Sequence, residues 1–135
     1  MYDNADEVLA TISRDVEAAR QRAEAATRFR AEVDAARATA SSPDGTVSVT
    51  VDASGMLHGL EVTDGAMHRR GRDLARVVRE TVYAAQRAVA DLVNAKAAET
   101  FGADSTLTHR MRDELSLRFV APEPESGELR LRGLR

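Results

Sequence analysis

The stretch Ser42-Pro43-Asp44-Gly45-Thr46-Val47-Ser48-Val49-Thr50-Val51-Asp52-Ala53-Ser54-Gly55 decides the fold of this chain. It opens with a turn: Pro43 presets φ at the second position, Asp44 tolerates the third, and Gly45 closes it. Strict alternation follows, with Val47, Val49 and Val51 on one face and Ser48, Thr50 and Asp52 on the other. A strand with one apolar and one polar face belongs to an antiparallel sheet that is wet on one side. Ala53-Ser54-Gly55 is a second turn. Met56 to Val62 reads as the next strand, with Leu60 and Val62 facing inward, and Thr39-Ala40-Ser41 as a short edge strand before the first turn. These segments make a three-stranded antiparallel meander.

Outward from the sheet, both flanks read as long helices. The segment from about Asp3 to Arg37 has neither Gly nor Pro and is rich in Ala, Glu and Arg, all good helix formers. Leu9, Ile12, Val16, Ala19, Ala23, Ala26 and Val33 follow spacings of three and four, interrupted where Arg30 stands between Ala26 and Val33. That is the pattern of a coiled-coil seam rather than of a broad globular face. A helix of about 35 residues is ~50 Å long, more than a domain of this size can cover, so the seam is expected to be a dimer interface. On the other flank, Arg72 to Phe101 carries a wide apolar stripe: Leu74, Val78, Thr81, Val82, Ala85, Ala88, Val89, Leu92 and Val93. Gly102 supplies its stop, and Asp64 to Gly71 is the loop that precedes it. The fold class is therefore α+β. The chain divides into a core of residues 1–102 and an extension of residues 103–135. Leu107 to Val120 is expected to add a short helix with Met111, Leu115 and Leu117 apolar. The tail from Ala121, with Pro122 and Pro124, is expected to be disordered and dispensable for folding.

Composition narrows the function. Among 135 residues there are three Phe, two Tyr and no Trp, so the core is aliphatic and Ala-rich. Such faces stabilise weakly per residue, at about 25 cal/mol per Å² buried, which favours association between chains. The absence of Cys excludes disulfides and thiolate metal sites. The N-terminus lacks the basic and apolar regions of a signal peptide, and no apolar run approaches the ~20 residues of a membrane span. The chain reads as soluble and cytoplasmic.

Catalytic patterns are missing. His58, His68 and His109 show no metal-ligand spacing, and the glycines form neither a dinucleotide fingerprint nor a P-loop. No nucleophile motif occurs. Asp52, Glu61 and Asp64 gather near the polar sheet edge, but a carboxylate pair needs a cleft to act as acid and base. No enzyme, metal or small-molecule substrate is expected. One constellation stands out. Arg69, Arg70, Arg72, Arg76 and Arg79 fall within eleven residues, opposed only by Asp73. Arg72, Arg76 and Arg79 follow i, i+4, i+7 spacing and so line one helix face. Guanidinium groups pair bidentately with phosphates, and a helix N-terminus favours anions. The formal net charge of −3 opposes a nucleic-acid partner, although local charge distribution decides binding more than the total.

The order of these elements resembles the YbaB/EbfC family of nucleoid-associated proteins in its longer actinobacterial form. It is carried by the long first helix, the Ser42-Pro43-Asp44-Gly45 turn, the strand ending Val49-Thr50-Val51-Asp52-Ala53-Ser54-Gly55, the strand Leu57 to Val62, and the second helix with Leu74, Val78, Ala85 and Ala88. The resemblance covers roughly residues 5 to 101. It implies an α-β-β-β-α protomer and an intertwined homodimer with projecting helices. It also implies binding of double-stranded DNA in the nucleoid with little sequence preference, for chromosome organisation or expression control, and no cofactor. The chain departs from the family at Thr63-Asp64-Gly65-Ala66, where many members carry an Asp-Pro step, and in its longer tail. A second reading is a protein-interaction adaptor, since some actinobacterial proteins of this fold resemble accessory factors of secretion loci.

Overall fold

The computed structural model describes residues 2–119. Three helices and one sheet follow in the order α1 (Tyr2–Ala35), β1 (Arg37–Ser41), β2 (Val47–Asp52), β3 (Leu57–Val62), a 3-10 turn (Asp64–His68), α2 (Gly71–Phe101) and α3 (Thr106–Arg118). The expected meander is present, with β2 in the centre and both neighbours antiparallel. The Ala121–Arg135 tail lies outside the described residues.

Both turns are built by carboxylates. Asp44 Oδ1 accepts hydrogen bonds from the Ser42 and Thr46 hydroxyls and from the Thr46 amide. Asp52 Oδ1 accepts from the Ser54 amide at 2.9 Å, the Ser54 hydroxyl at 2.6 Å and the Met56 amide at 3.0 Å. Its Oδ2 lies 2.7 Å from His58 Nε2. The β2–β3 register slips by one residue after Thr50, so that Thr50 faces Gly59 and Val51 faces Leu57. His58 is the extra residue, and this bulge stands it next to Asp52. The Ser54 hydroxyl, followed by His58, holds the Asp52 carboxyl well below the usual carboxylate range.

The core lies between β2 and α2. Val47, Val49 and Val51 are wholly buried, and α2 meets them with Val77, Thr81, Ala85, Val89, Val93 and Ala97. These six recur every fourth residue, so the buried strip turns by about 40° per step around the helix. Its first half rests on β1 and β2, and its second half, beyond the sheet, meets the end of α1 and α3. The sequence stripe contained Thr81, Ala85, Val89 and Val93. It omitted Val77 and Ala97, and it included Leu92, which is exposed. Thr81 is accommodated because its hydroxyl donates to the Val77 carbonyl.

Leu60 and Val62 correct the reading of β3. By register they share the face of Val49 and Val47, yet they remain 46% and 39% exposed. The cause is width. A helix is about 10 Å across and strands lie about 4.8 Å apart, so one helix covers two strands. α2 packs on β1 and β2, and β3 is left over.

α1 has two apolar faces. Near its end Phe29 is buried, Val33 packs against the core, and the Phe29 ring meets Phe101 edge-on at 5.1 Å between centroids. Earlier, Leu9, Ile12 and Val16 are 62%, 52% and 62% exposed, and Ala19, Ala23 and Ala26 are exposed too. Val33 thus belongs to the protomer's own core, and the exposed row ends at Ala26. The Ala25, Phe29, Val33, Ala36 face lies about a third of a turn from the Leu9–Ala26 row.

α3 confirms the short extra helix. Ser105 caps it, accepting from the Thr108 amide, and the buried Thr108 hydroxyl donates to the Gly102 carbonyl at 2.7 Å. Leu115 is buried, Met111 packs against the core, and Leu117 is 81% exposed. Phe119 then covers the second turn: a Cβ added at Gly55 would stand 2.7 Å from its ring.

Two outcomes follow for stability. Gly45 and Gly55 both have positive φ, at 73° and 86°, but only Gly55 has a neighbour in the way. Gly45→Ala is expected to cost about 1 kcal/mol and Gly55→Ala at least twice that, read from urea midpoints. In a double-mutant cycle Phe119→Ala should cost less in the Gly55→Ala background than in the wild type. The depressed Asp52 stabilises the fold above its unfolded pKa of about 3.9, and this contribution fades as pH falls below that value. Asp52→Asn should therefore be less stable at pH 7 and show a shallower loss between about pH 4 and 2 in urea melts.

Candidate nucleic-acid interface

The arginines singled out from the sequence divide into two groups. Arg72, Arg76 and Arg79 are exposed on the first turns of α2, about half a turn from the buried Val77 and Thr81. They point away from the sheet because the sheet occupies the opposite side. Arg70 is exposed immediately before them, as the N-cap residue. Its side chain makes no cap, so the first amides of α2 keep their partial positive charge without a side-chain acceptor. Asp73 is the local counter-charge, 3.7 Å from Arg76, an exposed and weak pairing.

Arg69 is set apart. Its guanidinium pairs with Asp44 and is only 31% exposed, tying the β1–β2 turn to the entry of α2. This arginine holds the scaffold under the strip. Conversely, Arg87 was not singled out, although it is exposed on the same outward side two turns beyond Arg79. The signal was available, since 72, 76, 79 and 87 keep helical phase, with Tyr83 filling the intermediate place. The arginines of α1 form no comparable face. Arg20 is held between Glu17 and Glu24 at 2.6 and 2.9 Å, and Arg14, Arg22, Arg28 and Arg30 are distributed around the helix.

Two open hollows flank the core. One, of about 420 Å³, lies between the β1–β2 turn and α2 and contains the Asp44–Arg69 pair with Glu80. The other, of about 310 Å³, lies between the end of α1, the β2–β3 turn and α3, and is rimmed by Asp34, Asp52, Glu114 and Arg118 over an apolar floor. Neither brings a nucleophile to a base, and His58 is engaged by Asp52. Among the described residues no group of His, Asp and Glu is placed to hold a metal ion, and no helix is long and apolar enough to cross a membrane.

Residues 9–104 match the YbaB/EbfC DNA-binding family. The span runs from the exposed row of α1 through the sheet and α2, and stops just before α3. No curated protein and no solved structure matches the chain. The family is one of nucleoid-associated DNA-binding proteins, not of enzymes. With most of its length matched, and with the helix–meander–helix order seen in the structure, this chain belongs to the YbaB/EbfC DNA-binding family.

Proposed function

We propose that this protein binds duplex DNA as a homodimer, with little sequence preference, and acts in the nucleoid on chromosome organisation or gene expression. The observation that carries the reading is the outward face of Arg70, Arg72, Arg76 and Arg79 at the uncapped start of α2. Guanidinium groups and free helix amides both suit phosphate, and neither reads a base. A net charge of −3 does not prevent this, because phosphates respond to charge within ~8–10 Å at physiological salt. Dimerisation through the exposed row of α1 presents the face twice, and no cofactor takes part.

Counterion release gives the test. Each neutralised phosphate contributes about 0.9 to the slope of log K against log salt. Arg72→Ala with Arg76→Ala removes at most four contacts per dimer, so the slope should fall by no more than about three to four units. Affinity should drop equally on AT-rich and GC-rich duplexes. Arg69→Ala should leave the slope unchanged while costing at most about 1 kcal/mol of stability. Gel shifts over a salt series, with circular dichroism as a check on folding, measure all three. An unchanged slope in a folded Arg72→Ala, Arg76→Ala variant would remove the strip as the DNA site.

The dimer itself is tested by light scattering. The wild type should have a dimer mass at micromolar concentration. Ile12→Asp with Val16→Asp should dissociate it, because each charge would enter a desolvated seam at a cost of several kcal/mol, on the order of that for an unpaired buried group.

A further inference from the structure

The basic face of α2 is longer than its first turns. Arg72, Arg76, Arg79, Tyr83 and Arg87 follow at intervals of three or four residues, which keeps all five within about 80° of one another around the helix axis. Among the described residues the four arginines are exposed and Tyr83 is half-buried. The buried series Val77, Thr81, Ala85 and Val89 turns by about 40° at each step. The outward series Arg79, Tyr83 and Arg87 turns with it, about half a turn away throughout. The row therefore keeps its outward direction over about 22 Å of helix axis, from Arg72 to Arg87. One step further, the exposed Asp91 takes the next place and reverses the sign, and Glu99 follows two steps on. Asp73 and Glu80 lie along one border of the row.

We propose that duplex DNA lies lengthwise along α2, that Tyr83 and Arg87 contact its phosphates together with Arg72, Arg76 and Arg79, and that Asp91 marks the end of the track. The inference rests on the DNA-binding reading above and goes beyond it by adding two contacts and fixing how the helix approaches. The other approach is end-on, with a phosphate over the uncapped amides of α2 and only Arg70 and Arg72 beside it. Length and sign distinguish the two. At about 3.4 Å of duplex axis per base pair, the row passes about six base pairs, more than a helix end reaches. A side chain in mid-row gains from contact with a backbone only if the helix lies along it. Tyr83 suits that place, because its hydroxyl donates one hydrogen bond to a phosphate oxygen and adds no charge. Asp91 repels a phosphate at the next position, so the track stops within the length of α2.

The test compares Arg72→Ala, Arg87→Ala, Tyr83→Phe and Asp91→Arg with the wild type on one random duplex over a salt series, each variant first checked for helical circular dichroism. Arg87→Ala is expected to weaken binding as Arg72→Ala does, with the slope of log K against log salt lower by up to about two units per dimer. Tyr83→Phe should weaken binding about threefold or more at an unchanged slope, since it removes a hydrogen bond and no charge. Asp91→Arg should tighten binding and raise the slope, because it carries the track one step further. Wild-type affinity and slope in a folded Arg87→Ala, or no gain from Asp91→Arg, would overturn the lengthwise track. Arg72→Ala separates the two claims: if it weakens binding while Arg87→Ala does not, the approach is end-on and the DNA-binding reading stands. If neither variant changes binding, or the wild type leaves the duplex unshifted, the arginine face is removed as the DNA site and this inference falls with it.

Discussion

The packing of Val47, Val49 and Val51 against α2 is the contact from which the remaining architecture follows, because one helix is wide enough for two strands and the sheet has three. β1 and β2 take the cover, and β3 keeps its leucines and valine in water. An aliphatic core this small stabilises modestly, since the helix contributes Thr and Ala at three of its six buried positions. Among the described residues, apolar surface is therefore left uncovered on the sheet and on α1 alike.

The same packing orients the charge. Once Val77 and Thr81 sit on the sheet, the helical period places Arg72, Arg76 and Arg79 on the far side. Binding a polyanion then needs no cleft and no moving part. It needs a rigid helix whose apolar side fixes the direction of its basic side. Arg69 differs from its neighbours in being paired, to Asp44, and so ties the β1–β2 turn to the entry of α2.

Much of this was legible in the sequence for physical reasons. Period-two alternation in Val47–Asp52 and the Pro-Asp-Gly turn specify a half-wet strand and its hairpin, and the structure has both. The α1 row was legible as a surface in need of a partner. What escaped detection depended on tertiary geometry. Nothing local to Leu60 or Val62 announces that α2 is one strand too narrow. Val33 keeps the spacing of the row yet falls on the core, because a straight helix drifts relative to a 3.5-residue repeat and Phe29 takes over the apolar face. The Arg69–Asp44 pair joins positions 25 residues apart, beyond any motif.

One contact reaches further than its size suggests. Phe119, at the end of α3, rests on the β2–β3 turn at Gly55, while the buried Thr108 and Leu115 fasten the same helix to α2. The hairpin turn and the core thus share one cover, with Phe119 on the turn and Leu115 in the core cluster. The family match stops at residue 104, yet the packed cluster runs on to Met111, Leu115 and Phe119. The helix beyond that point, through Thr108 and Leu115, is packed into the same structure.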